Sequence, residues 1–207
     1  MNPNREHRIP VIVLAAGMSR RMGSTKALLD FGGRPLIARI IESFQAASID
    51  EIIVVTGHEP EKIKSALPEF NVNFVHNDRY EGGGMLSSVQ TGVSAMSRDC
   101  DAFFLALGDH APPRPQTLES MIDAWRESDP AIVLPTLDGK HGHPILISSC
   151  LAPEILALTA SQTLATIVRG HANDSREVIV DDRAILEDID TPNDYNRAIT
   201  RWTTRQE

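Results

Sequence analysis

The chain has 207 residues, of which 42% are hydrophobic and 23% charged, enough for one sizeable α/β domain with its own core. A formal net charge of −8 disfavours a broadly basic surface for duplex nucleic acid, and an aromatic content of 5% disfavours a stacking platform for single strands. No apolar run reaches the roughly 18 residues of a membrane span, the opening MNPNREHR lacks a signal-peptide apolar region, and Cys100 and Cys150 have no metal-ligand spacing, so the expectation is a cytoplasmic protein with reduced thiols, bound to neither nucleic acid nor membrane.

Residues 1–8 read as a mobile N-terminal tail, 9–202 as a single domain and 203–207 as a C-terminal tail. Residues 9–16 are β-branched and bounded by Gly17, the pattern of a buried strand. Pro35 suits the first turn of a helix whose Leu36, Ile37, Ile40, Ile41 and Phe44 share a face. A second strand spans 51–56, a short helix opens at Pro60, and 71–75 alternates as a third strand. After the glycines at 82–84, Leu86, Val89, Val93 and Met96 mark a helix. Residues 101–107 form a buried strand that runs into Gly108-Asp109. Leu118, Met121, Ile122 and Trp125 mark the next helix, and 131–134 a strand. Asp138-Gly139 is a turn signal. His143 leads into another strand, 151–170 suggests short helices, and 177–180 a short strand. Near the end, Asp190 closes a strand, Thr191 caps a helix and Pro192 takes its first position. Strands alternating with helices imply a parallel sheet covered on both faces.

The segment after the first strand, with Gly17, Arg20, Arg21, Gly23 and Lys26, has the composition of an anion site. Glycine lets the backbone approach a ligand, exposed N–H groups coordinate phosphate oxygens, and the cations offset charge. Its spacing is not that of a P-loop, because Gly17 and Gly23 are one residue too far apart and Ser24 follows Gly23. The dinucleotide fingerprint is absent too, since Met18-Ser19 follows Gly17. Asp109, at the end of a wholly apolar strand, is a candidate ligand for a hard divalent cation. Asp188 and Asp190 share one side if their segment is extended. Gly84, Ser87 and Ser88 at a helix start suit a base edge or a phosphate, or serve plain capping. His143, after Gly142, is a single histidine with no zinc-like spacing.

LAAGMSRRMGSTK resembles the signature of MobA-like nucleotidyltransferases, and within that family the chain is most similar to the molybdenum-cofactor cytidylyltransferases. GMLSSVQTG, LALGDHAPP, GHP at 142–144 and DIDTPNDY extend the likeness in family order. The resemblance implies a Rossmann-like three-layer α/β fold with a mostly parallel central sheet, of the nucleotide-diphospho-sugar transferase type. It implies transfer of CMP from CTP to the phosphate of molybdopterin or molybdenum cofactor, with pyrophosphate released and Mg²⁺ required. Arg21 and Lys26 match the signature cations and become, with Asp109, the expected catalytic residues. Arg20 falls on a variable position. The nucleotide is expected along Leu14, Ala15, Ala16, Gly17 and Ser19, and against Thr56, Gly84, Ser87, Ser88 and Gly108. Asp109 is the expected principal metal ligand, with Asp190 as the second and Asp188 as its alternative. His110 and His143 are expected near the acceptor, although relatives often carry methionine or glutamine at position 110. Three alternatives remain: GTP as donor, another phosphorylated acceptor such as a sugar or alcohol phosphate, and a non-catalytic nucleotide or cofactor carrier. A molybdoenzyme or its chaperone is a candidate protein partner.

Overall fold

The computed structural model describes residues 7–17 and 25–204. Strand β1 (Val11–Ala15) pairs in parallel with β2 (Ile52–Thr56) on one side and β4 (Ala102–Leu107) on the other, and β3 (Val72–His76) continues the parallel sheet beyond β2. Past β4 comes β7 (Ile145–Ser148), which runs antiparallel and bridges β4 to β5 (Ile132–Leu137). β5 carries the short antiparallel β6 (Lys140–His141) and, in parallel, β8 (Ser175–Ile179). The sheet is therefore mixed and mostly parallel.

Residues alternate between the two faces of each strand, and both faces are dry, which explains why the central strands read as continuous apolar runs. Val11, Val13, Val54 and Phe104 enter one core, packed by helices α1 (Leu36–Ala46), α2 (Pro60–Ser65) and α4 (Pro115–Ser128). Ile12, Ile53, Val55, Phe103 and Leu105 enter the other, under α3 (Gly84–Ala95), α5 (Ala152–Ala157) and α6 (Leu164–Gly170). The longer helices present apolar stripes at helical spacing, such as Leu118, Met121, Ile122 and Trp125 of α4, all buried, whereas α2, α5 and α6 each bury one residue, Ile63, Ile155 and Ile167. Among the described residues no helix is long and apolar enough to cross a membrane.

The last helix, α7 (Pro192–Thr204), starts as the sequence predicts. The Thr191 hydroxyl accepts from the Asp194 N–H at 3.2 Å, and the Asp194 carboxylate accepts from the Thr191 N–H at 2.8 Å, a reciprocal cap. Tyr195, Ala198, Ile199 and Trp202 then pack on the first core. Two expected boundaries move. Thr203 and Thr204 continue α7 rather than starting a tail. Arg8, placed in a tail from sequence, pairs with Glu51 at 2.8 Å, and its N–H donates to Asp101 at 3.1 Å.

Candidate active site at the switch point

From β1 the chain moves outward to β2 and β3, then returns to place β4 on the other flank of β1. The diverging connections open a crevice at the carboxyl ends of β1 and β4, the usual ligand position in an open α/β sheet. A cavity of about 290 Å³ lies there, walled by Leu14, Ala15, Ala16 and Gly17 from β1 and by Leu107, Gly108 and Asp109 from β4. Thr25, Lys26 and Ala27 form another wall, and Tyr80, Gly84, Met85 and Ser88 close the far side. Gly108 is required by close approach. Its N–H donates to the Leu14 carbonyl at 2.9 Å, and a Cβ there would lie 2.8 Å from that same oxygen.

Asp109 and Asp190 are brought together by backbone pairing. The Ile189 N–H donates to the Asp109 carbonyl at 2.9 Å, the Ala111 N–H donates to the Glu187 carbonyl at 3.0 Å, and His110 and Asp188 form an isolated antiparallel bridge. Residues 187–190 are thus a strap laid across the turn after β4. This corrects the expectation that Asp190 closes a strand: a single bridge forms, not a ladder.

The Lys26 ammonium sits between the two carboxylates. It donates to Asp109 Oδ2 at 3.1 Å and to Asp190 Oδ1 at a shorter distance. Lys26 is buried, whereas both aspartates are nearly half exposed. Burial alone would lower the lysine's pKa, but the hydrogen bond to Asp190 and the charge of Asp109 outweigh it, and the pKa is raised. The ammonium is therefore charged at neutral pH.

Two half-exposed carboxylates converging on one cation fit a hard divalent ion such as Mg²⁺. That ion takes one or two carboxylates and completes its shell with water and substrate phosphate. Among the described residues no group of three or more His, Cys, Asp or Glu gathers, so the protein forms no closed metal cage there.

The other expected residues divide. Gly84 and Ser88 line the cavity, whereas Ser87 is buried beneath it and Thr56 is buried with its hydroxyl donating to the Val75 carbonyl at 3.3 Å. Ser19, Arg20 and Arg21 lie outside the described residues. His110 and His143 pack edge to face with ring centroids 5.4 Å apart, and His110 pairs with Asp188. That pairing holds the Asp188 carboxyl below its usual pKa. Burial, followed by the neighbouring His110, lowers His143 to about 4, so its ring is neutral. Sequence reasoning did not single out Tyr80, Met85 or the buried Asn77 below Ser87 and Ser88. The one available signal was an Asn immediately after the third strand, which reads as an ordinary turn residue.

The crevice and the mixed sheet have the layout of a nucleotide-binding fold, and the sequence match makes the class a nucleotidyltransferase. Residues 11–176 match the MobA-like NTP transferase domain, and the chain belongs to that family. It is 32% identical over 199 residues to the molybdenum cofactor cytidylyltransferase of Escherichia coli (strain K12), covering 94% of this chain and 97% of that one. Among solved structures, a nucleotidyl transferase from Methanothermobacter thermautotroptrophicus superposes with a TM-score of 0.82 at 24% identity, covering 97% of this chain and all of the other. A Mycobacterium tuberculosis H37Rv protein solved as a complex with manganese superposes at 0.77, also at 24% identity, over 95% of this chain and all of that one. At these identities the superpositions establish the fold alone.

Proposed function

We propose that the protein is a cytoplasmic, Mg²⁺-dependent enzyme that transfers CMP from CTP to the terminal phosphate of molybdopterin or molybdenum cofactor. The observation that carries this reading is the convergence of Lys26, Asp109 and Asp190 at the switch point. It occurs in a chain that aligns nearly end to end with a molybdenum cofactor cytidylyltransferase. The manganese bound by a structural neighbour supports the choice of a divalent cation.

In the proposed reaction a phosphate oxygen of the acceptor attacks the α-phosphorus of CTP. The bond from that phosphorus to the bridging oxygen breaks, and pyrophosphate leaves with the electron pair. No protein nucleophile is needed, so catalysis rests on positioning and charge. Asp109 and Asp190 would hold the Mg²⁺, which when bound neutralises phosphate charge. Gly17 and Gly108 keep side chains out of the crevice floor, and Lys26 supplies a fixed positive charge beside the triphosphate. Arg21, by its place in the signature, would add a second. His110 and His143 flank the acceptor side, His143 as a neutral ring that can donate or accept one hydrogen bond.

Pyrophosphate release, measured with CTP or GTP and with or without acceptor, tests the reading. CTP with acceptor should give the fastest release. Asp109→Asn should reduce that rate by about 10²–10³-fold with the thermal midpoint preserved. A folded Asp109→Asn protein with undiminished release would remove Asp109 from the mechanism.

A further inference from the structure

Asn77 is 1% exposed and follows β3 directly. Its backbone N–H donates to the Thr56 carbonyl at 2.8 Å, which anchors it to the end of β2. Its side-chain orientation is settled by a neighbour that can only donate. The Arg79 backbone N–H points at Asn77 Oδ1 at 3.0 Å, so the amide nitrogen must face the other way. On that side it meets two hydroxyls, donating to Ser87 Oγ at 2.8 Å and to Ser88 Oγ at 2.9 Å. Both hydrogens of the amide are used.

The two serines then differ. Ser87, having accepted, passes its own proton to the Gly84 carbonyl at 2.9 Å and is closed off. Ser88 has also accepted, but among the described residues it donates its own proton to no protein acceptor. Ser88 is on the cavity wall and Ser87 is not. After accepting from Asn77 the hydroxyl keeps one lone pair and its proton, and with no internal acceptor for that proton the cavity is where it can donate. Its 6% exposure limits water as a substitute partner.

We propose that Asn77 is a positioning residue for nucleotide selection: it holds Ser88 as a hydrogen-bond donor facing the cavity, so that the site prefers a base edge made of acceptors. Cytosine offers adjacent acceptors at O2 and N3. The corresponding edge of guanine carries a single acceptor, O6, beside donors at N1 and N2, so it cannot offer the Ser88 proton two adjacent acceptors. Opposite N1 or N2, Ser88 would have to turn its remaining lone pair to the base and leave its own proton without a partner, and mismatches of that kind discriminate. The proposal rests on the reading that the base occupies the Gly84–Ser88 side of the cavity, and it supplies a physical reason why CTP would be the donor.

Asn77→Asp reverses the polarity. A carboxylate still accepts from the Arg79 N–H but can only accept from the serines, turning their protons inward and leaving the Ser88 lone pairs facing the base. Asn77→Ala removes the amide without burying a charge and serves as the second variant. For each, kcat and KM are measured with CTP and with GTP, alongside circular dichroism. The ratio of kcat/KM for CTP over GTP should fall at least tenfold in Asn77→Asp and about threefold to tenfold in Asn77→Ala. The change should lie mainly in KM for CTP. Ser88→Ala should lower the ratio as well, and adding it to Asn77→Ala should bring little more. The wild-type ratio by itself tests the CTP reading, whereas the shift between variants tests Asn77 whatever the wild type prefers. A folded Asn77→Ala protein that loses rate equally with both nucleotides, at an unchanged ratio, would overturn the proposal and reduce Asn77 to a structural residue.

Discussion

Lys26 occupies the position between Asp109 and Asp190 that a divalent cation would take. A +1 charge and a +2 charge compete for the same pair of carboxylates, so the metal must displace the ammonium or share its partners. With nucleotide present the lysine would gain phosphate oxygens to bind, which would relieve the conflict. Lys26→Met should therefore bind Mn²⁺ without nucleotide at least threefold more tightly than wild type, as read by electron paramagnetic resonance. Catalysis should nonetheless fall by about 10²–10³-fold. Equal Mn²⁺ affinity in both proteins would contradict this account of the pair.

His143 makes a second claim at this scale. Its pKa in the fold, about 4, lies below the ordinary value of 6.5. Between those values the unfolded chain binds a proton that the native chain does not. Stability is then complete above about pH 6.5 and declines as the pH falls through this window towards 4, by roughly 3 kcal/mol at most. In urea titrations His143→Gln should flatten that decline. A wild-type stability that is level from pH 6.5 to 4 would contradict the burial of a neutral ring.

Among the elements, the strap at 187–190 brings Asp190 to Lys26 and Asp109, and it was the least legible in the sequence. Asp188, Ile189 and Asp190 alternate polar and apolar, which looks like a strand. What joins them to residues 109–111, nearly eighty positions away, is two backbone hydrogen bonds, and no local pattern encodes that pairing. Asn77 was missed for a related reason: buried beneath two serines, it looks like a turn former until the helix above it is in place. By contrast the strands and amphipathic helices were legible, because burial of both sheet faces writes itself into apolar runs and helical stripes. Gly108-Asp109 was legible as well, because a carboxylate directly after a dry strand must lie at the sheet's edge.

The strap depends on the turn before it. Asp182 is 1% exposed and accepts from the Arg114 N–H at 2.7 Å, the Thr117 hydroxyl at 3.0 Å and the Ala184 N–H at 3.2 Å. It therefore joins the start of α4 to the 3₁₀ turn Arg183–Leu186 that leads into the strap. Among the described residues, Asp182→Ala takes the acceptor from these three donors and should cost about 3 kcal/mol in urea unfolding. A cost below about 0.5 kcal/mol would show that the turn is held by other contacts.

Over the whole molecule, the sheet does two jobs. Its parallel half, β3-β2-β1-β4, creates the switch point and the cavity at the ends of β1 and β4. Its other half, entered through the antiparallel β7, carries the connections that deliver His143 beside His110 and lay the strap on residues 109–111. Donor and acceptor would meet between the halves, with the Lys26, Asp109 and Asp190 cluster at the seam. The family and the enzyme class follow from the sequence match and the fold, while the identity of the two substrates depends on side chains around the cavity.

The most direct test of the central claim is mass spectrometry of the product after incubation with Mg²⁺, molybdenum cofactor and each of the four nucleoside triphosphates. The account predicts a cofactor adduct heavier by one cytidylyl group, formed with CTP in preference to the others and accompanied by stoichiometric pyrophosphate. A guanylyl adduct as the main product, or no adduct from an enzyme that binds both substrates, would contradict it.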